Sequence, residues 1–379
     1  MNPVDVAQKL ITYETITPRE EGIYDYIRSL LPDFVALRAD KEGVKNLFLY
    51  KDFGGANPLH FCFAGHVDVV PVGEGWSIAP FSGKILDRFL YGRGAQDMKG
   101  GIAAFICALK EFCAHVAPNT PLILSILLTS DEEGPAKFGT KHALKVLQEK
   151  NLLPHFALVA EPTCVRELGD SVKIGRRGSI AGRLTIHGVP GHVAYPRTCL
   201  NPIQVIADKL NLIAGAFLDD GDTDFEPSRL IITSIQSHSS AENVTPKTLD
   251  IIFNVRNSPI TTLKSLENFL EVVLAKVPHN LHLKQNSAPF LSSKDSLLVA
   301  CLEQAITEVL QITPTLNTNG GTSDARFLHA FGVEVVEFGL TGERIHSIDE
   351  CLEIKQLENL TQVLLRLLQL ISQKNGSKA

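Results

Sequence analysis

The chain has 379 residues, a length that predicts two domains rather than one. Hydrophobic residues make up 44% of it and charged residues 21%, which is typical of a globular protein with a substantial core. The formal net charge of −6 argues against a general nucleic-acid-binding protein, which normally presents a basic surface. The amino-terminal segment lacks the basic and apolar regions of a signal peptide, and the most apolar stretch, 121–129, is too short to span a bilayer. We therefore expect no nucleic-acid or membrane partner.

The seven cysteines are scattered along the chain without a Cys-x-x-Cys pair. Scattered thiols in a long chain without an export signal fit a reducing compartment. We expect a cytoplasmic protein in which the cysteines serve packing.

The first half of the chain alternates strand-like and helix-like segments. An apolar run at 59–64 ends in Gly65-His66-Val67-Asp68, and strand-like segments at 121–129 and 156–160 flank a helix-like segment at 139–150. Residues 99–116 place apolar side chains on one helical stripe, formed by Ile102, Phe105, Ile106, Leu109, Phe112, Cys113 and Val116. This alternation predicts an α/β sheet covered by helices on both faces.

The pattern changes near Ser171. Residues 172–187 alternate polar and apolar side chains, as in a sheet with one exposed face. The segments that follow are a helix (201–217), strands (229–236 and 247–256), a helix (261–276) and a strand (280–285). The first pattern then returns, with a helix (295–311), a strand (333–338) and a helix (354–371). We predict an α/β protein in which a doubly wound mixed-sheet domain (1–175 and 290–379) carries an inserted α+β domain (176–289).

Residue types that bind metals occur where predicted strands of the larger domain end, or on the loops beside them. They fall at five places: His66 with Asp68, Asp97, Glu132 with Glu133, Glu161, and His346. In open α/β sheets, ligands bind outside the carboxyl ends of the strands. The joint placement of these residues therefore predicts a metal site at that edge.

Each place taken alone has an ordinary alternative. His66 and Asp68 lie on the same side of an extended strand, so one could bind a metal while the other orients the imidazole, or both could simply be exposed. Asp97 could bridge two cations with its two oxygens, or cap the helix that begins near residue 99. The acidic turn at 131–133 could be solvated, and His346 could be a surface histidine.

Four motifs, followed by a late histidine, resemble the dinuclear zinc aminoacylase and carboxypeptidase family. They are GHVDVVP at 65–71, GRGAQDMKGG at 92–101, TSDEEG at 129–134 and EPT at 161–163. The resemblance implies two Zn²⁺ per subunit, with Co²⁺ able to substitute. It implies that His66 and Glu161 hold one ion, that Glu133 and His346 hold the other, and that Asp97 bridges them.

The same resemblance implies catalytic roles and a mechanism of amide hydrolysis. Glu132 would be the general base, and Asp68 would orient the ligating histidine. His192 resembles the family histidine that crosses from a partner subunit to stabilise the oxyanion, so the inserted domain would be a dimerisation domain and the protein a homodimer. The resemblance also implies a cis peptide between Asp97 and Met98.

More narrowly, residues 161–196 and 320–327 are similar to the members that remove the succinyl group from N-succinyl-diaminopimelate in lysine and cell-wall precursor biosynthesis. This similarity implies a small-molecule substrate with several carboxylates, each of which guanidinium groups can bind through two hydrogen bonds. The implied substrate contacts are Arg176, Arg177, Ser179, Tyr195, Asn243, Arg256, Gly321 and Thr322.

Some positions depart from the commoner family pattern, namely Gln96, Glu242, Glu343, Arg344 and Ser347. None is an implied metal ligand, so the departures bear on substrate choice. The alternatives within the class are an acetylornithine deacetylase, an aminoacylase or a peptidase. The alternative from another class is a non-catalytic binding protein on the same fold, which the filled ligand and base positions disfavour.

Overall fold

The computed structural model describes residues 1–237 and 241–376. The α-helices in these residues are α1 (Pro3–Ile11), α2 (Ile23–Leu30), α3 (Gly100–His115), α4 (Thr140–Glu149), α5 (Pro202–Ala207), α6 (Leu210–Ile213), α7 (Leu263–Val273), α8 (Leu297–Leu310), α9 (Ala325–Ala330) and α10 (Ile354–Gly376). The strands are β1 (Val35–Arg38), β2 (Asn46–Asp52), β3 (Leu59–His66), β4 (Ile85–Leu86), β5 (Phe89–Tyr91), β6 (Leu122–Thr129), β7 (Phe156–Val159), β8 (Ser171–Lys173), β9 (Gly175–Arg176), β10 (Ser179–His187), β11 (Arg229–Ser237), β12 (Thr248–Arg256), β13 (His279–Ser287), β14 (Phe290–Leu291), β15 (Thr315–Asn317), β16 (Glu334–Glu337) and β17 (Cys351–Glu353).

The chain divides into two compact units. The first comprises Met1–Gly175, Ser292–Asn317 and Ser323–Ala379, and the second comprises Arg176–Leu291 and Thr318–Thr322. No pattern in the sequence predicts that the short segment Thr318–Thr322 belongs with the second unit.

An eight-stranded mixed sheet forms the centre of the first unit, in the order β1-β2-β6-β3-β7-β16-β8-β15. Its four middle strands, β6, β3, β7 and β16, run parallel to one another. His66 at the end of β3 pairs in register with Thr129 at the end of β6. The carboxyl ends of these strands therefore meet at one edge, and the predicted α/β class with a mixed sheet is confirmed.

The core of this unit forms where α3 packs on the sheet. The Phe105 ring of α3 lies parallel to the Phe63 ring of β3 at 5.0 Å, and both side chains are fully buried. Burial of one such side chain contributes roughly 1.5–3 kcal/mol. Helix α3 also contacts α1 and α10, so it is buried on more sides than the single predicted stripe indicated.

The second unit contains a four-stranded antiparallel sheet in the order β11-β12-β10-β13. Along β12, Leu249, Ile251, Phe253 and Val255 are buried and alternate with more exposed residues, so one face of the sheet holds the core. Leu266 and Leu270 of α7 belong to the same cluster. The continuous helix predicted at 201–217 is wrong, because Asp208 and Lys209 separate two short helices, α5 and α6.

Within the part of the chain that the structure describes, no helix is both long and apolar enough to cross a membrane. The cysteines all lie in that part, and none of them forms a disulfide there. Five are buried and two are partly exposed, in keeping with a packing role.

Candidate metal centre

His66 ends strand β3 and is only 1% exposed. Its Nδ1 donates a hydrogen bond to the backbone carbonyl oxygen of Asp68 at 2.8 Å, which fixes a proton on that nitrogen. Its Nε2 lies 3.1 Å from Asp97 Oδ1 and 3.7 Å from Glu161 Oε1. The ring is therefore held with Nε2 directed at two carboxylates, which suits a metal ligand.

The Asp68 carboxylate, which the resemblance implies as the group that orients His66, also contacts the acidic turn after β6. Its oxygens accept hydrogen bonds from the backbone N–H groups of Glu132 (3.3 Å) and Glu133 (3.1 Å). Its Oδ1 is 3.7 Å from His66 Nδ1, whereas the carbonyl oxygen of the same residue is closer. The Asp68 side chain thus holds the acidic turn after β6 against the end of β3.

Asp97 lies between two histidines, with one oxygen toward each. Its Oδ1 is 3.1 Å from His66 Nε2, and its Oδ2 is 3.4 Å from His346 Nε2. His346 Nε2 is also 2.9 Å from Glu133 Oε1. The peptide between Asp97 and Met98 is cis, as the sequence resemblance predicted.

Burial and neighbouring charges strongly perturb the pKa values of these groups. Burial lowers the pKa of His66, but its hydrogen bond to Asp97 and the charge of Glu161 outweigh burial and hold the pKa well above its ordinary value. Hydrogen bonds to Asp97 and Glu133 raise the pKa of His346 to about 10. Carboxylates thus favour positive charge at both imidazoles, and a cation between these groups would satisfy the same carboxylates.

Burial also raises the pKa of Glu161 well above its ordinary value, and the neighbouring Asp97 carboxylate adds to the effect. Burial raises the pKa of Glu132 to about 8, with His66 opposing the rise and Asp324 and Asp97 reinforcing it. Carboxylates that repel one another in a buried site are relieved by a cation.

The donor set fits a pair of divalent cations. Ligand atoms of His66, Asp97 and Glu133 all lie within 4.8 Å of one another. Glu161 is near the first histidine and Glu133 is near the second, so each side of Asp97 offers one imidazole and one further carboxylate. Mixed nitrogen and oxygen donors suit Zn²⁺, and a carboxylate with one oxygen toward each side suits a bridge.

Two buried residues beside this centre were not singled out from the sequence. Arg93 and Glu350 form an ion pair of 2.8 Å and are 2% and 0% exposed. They are 257 positions apart, and no spacing or periodicity in the sequence connects them. Arg93 lies in the GRGAQDMKGG motif, which was the one available signal. That motif was interpreted for Asp97 and not for Arg93.

The implied substrate residues all lie in the second unit, and two of the arginines already have partners there. Arg176 is 8% exposed and donates to the carbonyl oxygen of Asn319 at 2.8 Å. A side-chain Cβ at Gly320 would come within 2.5 Å of the Arg176 guanidinium. Arg177 donates to Glu226 at 2.8 Å.

His192 lies on an exposed turn of the second unit with two other implied site residues. Its Nδ1 accepts a hydrogen bond from the N–H of Ala194 at 3.1 Å. Nε2 is 3.4 Å from the side-chain amide of Asn243, and the Tyr195 ring centroid is 5.8 Å from that of His192. We refer to His192, Tyr195 and Asn243 as the histidine turn cluster.

The remaining implied substrate residues are more dispersed. The Ser179 hydroxyl is buried and accepts from the Asn254 amide at 3.1 Å. Arg256 and Gly321 are exposed, and Thr322 is partly buried. These contacts remain predictions from sequence.

Residues 62–370 match the model of Peptidase family M20/M25/M40. A succinyl-diaminopimelate desuccinylase from Helicobacter pylori is 53% identical over 392 aligned residues, which cover 99% of this chain and 100% of that protein. Among solved structures, aminopeptidase PepT from Bacillus cereus superposes with a TM-score of 0.81 at 16% identity, covering 98% of both chains. A Bacillus subtilis protein, described as a dinuclear metal-binding peptidase of the M20 family, gives a TM-score of 0.69 at 14% identity over 98% of both chains. At these identities the two structures bear on the fold alone.

Proposed function

The chain belongs to peptidase family M20/M25/M40, and from that premise we propose that it is a succinyl-diaminopimelate desuccinylase. It hydrolyses N-succinyl-LL-2,6-diaminopimelate to succinate and LL-2,6-diaminopimelate, a step of lysine and cell-wall precursor biosynthesis. The observation that carries the proposal is the full-length similarity to a protein of that name, at 53% identity. Free thiols throughout the described chain support a cytoplasmic location.

The metal centre would hold two Zn²⁺, and Co²⁺ would substitute. His66 and Glu161 would bind one ion, Glu133 and His346 the other, and Asp97 both, in accordance with the distances across the site. Bound at this place, the ions would lower the pKa of a water molecule and polarise the amide carbonyl of the substrate.

Glu132 is the general base of the reaction. Its carboxylate takes a proton from the attacking water, whose oxygen forms a bond to the amide carbon. The same carboxylate then passes the proton to the amide nitrogen as the carbon–nitrogen bond breaks. Asp68 supports this step, because its carboxylate holds the backbone N–H of Glu132 and thereby the base itself.

Substrate recognition would come from the second unit. Arg176, Arg177 and Arg256 supply guanidinium groups for a substrate that carries several carboxylates. Ser179, Tyr195, Asn243, Gly321 and Thr322 complete the proposed contacts. His192 would reach the active site of a partner subunit and donate a hydrogen bond to the oxyanion.

The second unit would form the homodimer that this role requires. It exposes large apolar side chains, among them Val193 (50%), Phe217 (65%), Ile235 (48%) and Val272 (76%). Apolar surface of this kind favours a protein partner. Strands β11 and β13 are the edges of its sheet, and pairing is one way to protect such edges.

An amine-release assay tests the substrate and the metal together. Succinyl-diaminopimelate, acetylornithine and dipeptides are compared at equal concentration, with and without exhaustive chelation. We expect succinyl-diaminopimelate to be cleaved at the highest kcat/KM, chelation to abolish turnover, and Zn²⁺ or Co²⁺ to restore it. Preference for acetylornithine or a dipeptide would move the assignment to a sister enzyme. Metal binding without turnover of any substrate would favour a binding protein.

A further inference from the structure

Two loops of the first unit carry the metal-binding groups that face each other across the centre. Residues 93–97 carry Asp97, and residues 344–350 carry His346. Three side chains join these loops, and we refer to Arg93, Gln96 and Glu350 as the loop clamp.

Glu350 is fully buried and accepts hydrogen bonds from four of the five residues of the first loop. Its Oε1 accepts from the backbone N–H groups of Gln96 (2.9 Å) and Asp97 (3.2 Å). Its Oε2 accepts from the backbone N–H of Gly94 (3.1 Å) and from the Arg93 guanidinium (2.8 Å). One carboxylate therefore satisfies three backbone donors of the segment that ends in the proposed bridging residue.

Arg93 makes the reverse connection, from the first loop to the second. It is 2% exposed, and its Nη1 and Nη2 donate to the backbone carbonyl oxygens of Ser347 (3.1 Å) and His346 (3.4 Å). The Trp76 ring lies 5.1 Å from the guanidinium carbon. The planar fork of arginine spans these acceptors, which the single charge of a lysine cannot do.

Gln96 makes a third connection between the two loops, to Arg344. Both of these residues depart from the commoner family pattern. Its side chain is 2% exposed, and its Oε1 accepts from the backbone N–H of Arg344 at 2.9 Å. The residue that stands in the place of a usual small one therefore holds the loop of His346 directly.

His346 needs external support of this kind. It is 46% exposed along its side chain and has a φ of 58°, a left-handed conformation that non-glycine residues adopt at a cost. Such a conformation persists where the surroundings fix it. Gln96 binds the backbone before this histidine, at Arg344, and Arg93 binds the carbonyl oxygens of the histidine itself and of the residue after it.

We propose that the loop clamp sets the position of His346 relative to Asp97 and thereby the affinity of the metal site that these two residues share with Glu133. The inference rests on the two-metal site of the proposed function. Arg93, Gln96 and Glu350 are positioning residues, because each acts on the ligands through the backbone and none lies among the proposed metal ligands.

The test is Zn²⁺ titration of the apo-enzyme by competition with a chromogenic chelator, which reports the affinities of both ions without turnover. Glu350→Gln keeps the shape but replaces an acceptor oxygen with a donor, and Arg93→Lys keeps the charge but loses the fork. We expect both to weaken one of the two ions by about 10–100-fold, the range for residues that orient metal ligands. His346→Ala identifies that ion, and Gln96→Ala should weaken the same ion less than the other two variants do.

Ser125→Ala is the matched control for lost stability. Ser125 is fully buried in β6 and pairs with His60 at 2.8 Å, four residues before Thr129, which pairs with His66. Its loss should lower the melting temperature but leave both Zn²⁺ affinities unchanged. Should Glu350→Gln fail to fold, Gln96→Ala and Arg93→Lys still decide the matter.

Three results would overturn the inference. If the wild-type protein binds fewer than two ions, both the two-metal proposal and this inference fail. If it binds two ions and the clamp variants bind them with wild-type affinity, this inference alone fails. If Ser125→Ala weakens zinc binding as much as the clamp variants at equal melting temperature, affinity follows overall stability and the clamp has no positioning role.

Discussion

The metal centre of the first unit and the histidine turn cluster of the second differ in how their side chains are held. In the metal centre, His66, Asp97 and Glu161 are at most 9% exposed. The half-exposed His346 is held instead through hydrogen bonds to the backbone of its loop. In the turn cluster, the side chains of His192, Tyr195 and Asn243 are exposed. The backbone N–H of Tyr195 donates to the carbonyl oxygen of His192 at 2.8 Å, and the side chains of His192 and Asn243 are 3.4 Å apart. The first group is held by burial and by hydrogen bonds, whereas the side chains of the second group lie in solvent.

That difference separates the two tasks of the proposed enzyme. Groups that must share metal ions need fixed spacing, which strand ends and buried hydrogen bonds provide. Groups that bind substrate or stabilise an oxyanion can be ordered when the substrate arrives, although ordering reduces the gain in affinity. Substitutions in the first group should therefore affect metal binding or chemistry, and substitutions in the second should affect only substrate and transition-state binding.

The largest effect is expected within the metal centre, from Glu132→Gln. The amide cannot accept the proton, so kcat should fall by about 10²–10⁴-fold. Both Zn²⁺ affinities should remain, because the base is not among the proposed ligands. Glu133→Gln is the neighbouring control and should weaken one metal ion instead. Steady-state kinetics with zinc titration checks both, and wild-type turnover in both variants would reject the roles given to this pair.

The next effect lies in the turn cluster. His192→Ala should lower kcat by about 10²–10³-fold, the loss expected when one oxyanion donor is removed, with zinc binding unchanged. Mixing this variant with Glu132→Gln after dissociation should restore part of the activity, since a mixed dimer has one site with an intact base and an intact partner histidine. Absence of recovery despite measured subunit exchange would mean that His192 acts within its own chain or has no catalytic role.

The sequence predicted the metal centre more completely than its supports. Strand ends and acidic turns are local patterns, so His66, Glu133 and Glu161 could be assigned to one edge of one sheet, and the structure brings them together there. The pairing of Arg93 with Glu350 depends on how distant loops meet, and no local pattern encodes that contact.

The sequence also did not predict to which sheet each strand belongs. Residues 172–187 alternate as one sheet segment would, yet β8 pairs with β15 of the first unit and β10 pairs with β12 of the second. Alternation reports which faces are buried, and it carries no information about which strand lies alongside. No strands were predicted at the positions of β1 and β2, although they complete one side of the large sheet.

A smaller effect should come from the pair of Arg177 and Glu226. The substrate carboxylate must compete with Glu226 for the guanidinium, so Glu226→Gln should lower KM by about two- to fivefold, as for a partly exposed ion pair. Arg177→Ala should raise KM by about tenfold, since one charged hydrogen-bonding group is lost. Neither should change zinc affinity. An unchanged KM in both variants would exclude Arg177 from substrate binding.

The smallest effect on catalysis is expected from helix caps, which offer a matched pair across the two units. Thr262 caps α7 in the second unit by accepting from the N–H of Ser265 at 3.1 Å, and Ser296 caps α8 in the first by accepting from the N–H of Val299 at 3.1 Å. Loss of either cap should lower the free energy of unfolding by about 1 kcal/mol and leave kcat/KM near wild type.

Added Zn²⁺ stabilises the unit that binds it, by mass action. If the two units melt separately in scanning calorimetry, added Zn²⁺ should offset the drop in melting temperature caused by Ser296→Ala. It should leave the drop caused by Thr262→Ala in place. If Zn²⁺ offsets both shifts equally, the two units unfold as one cooperative body. Substitutions in the second unit would then not be independent of the metal centre in the first.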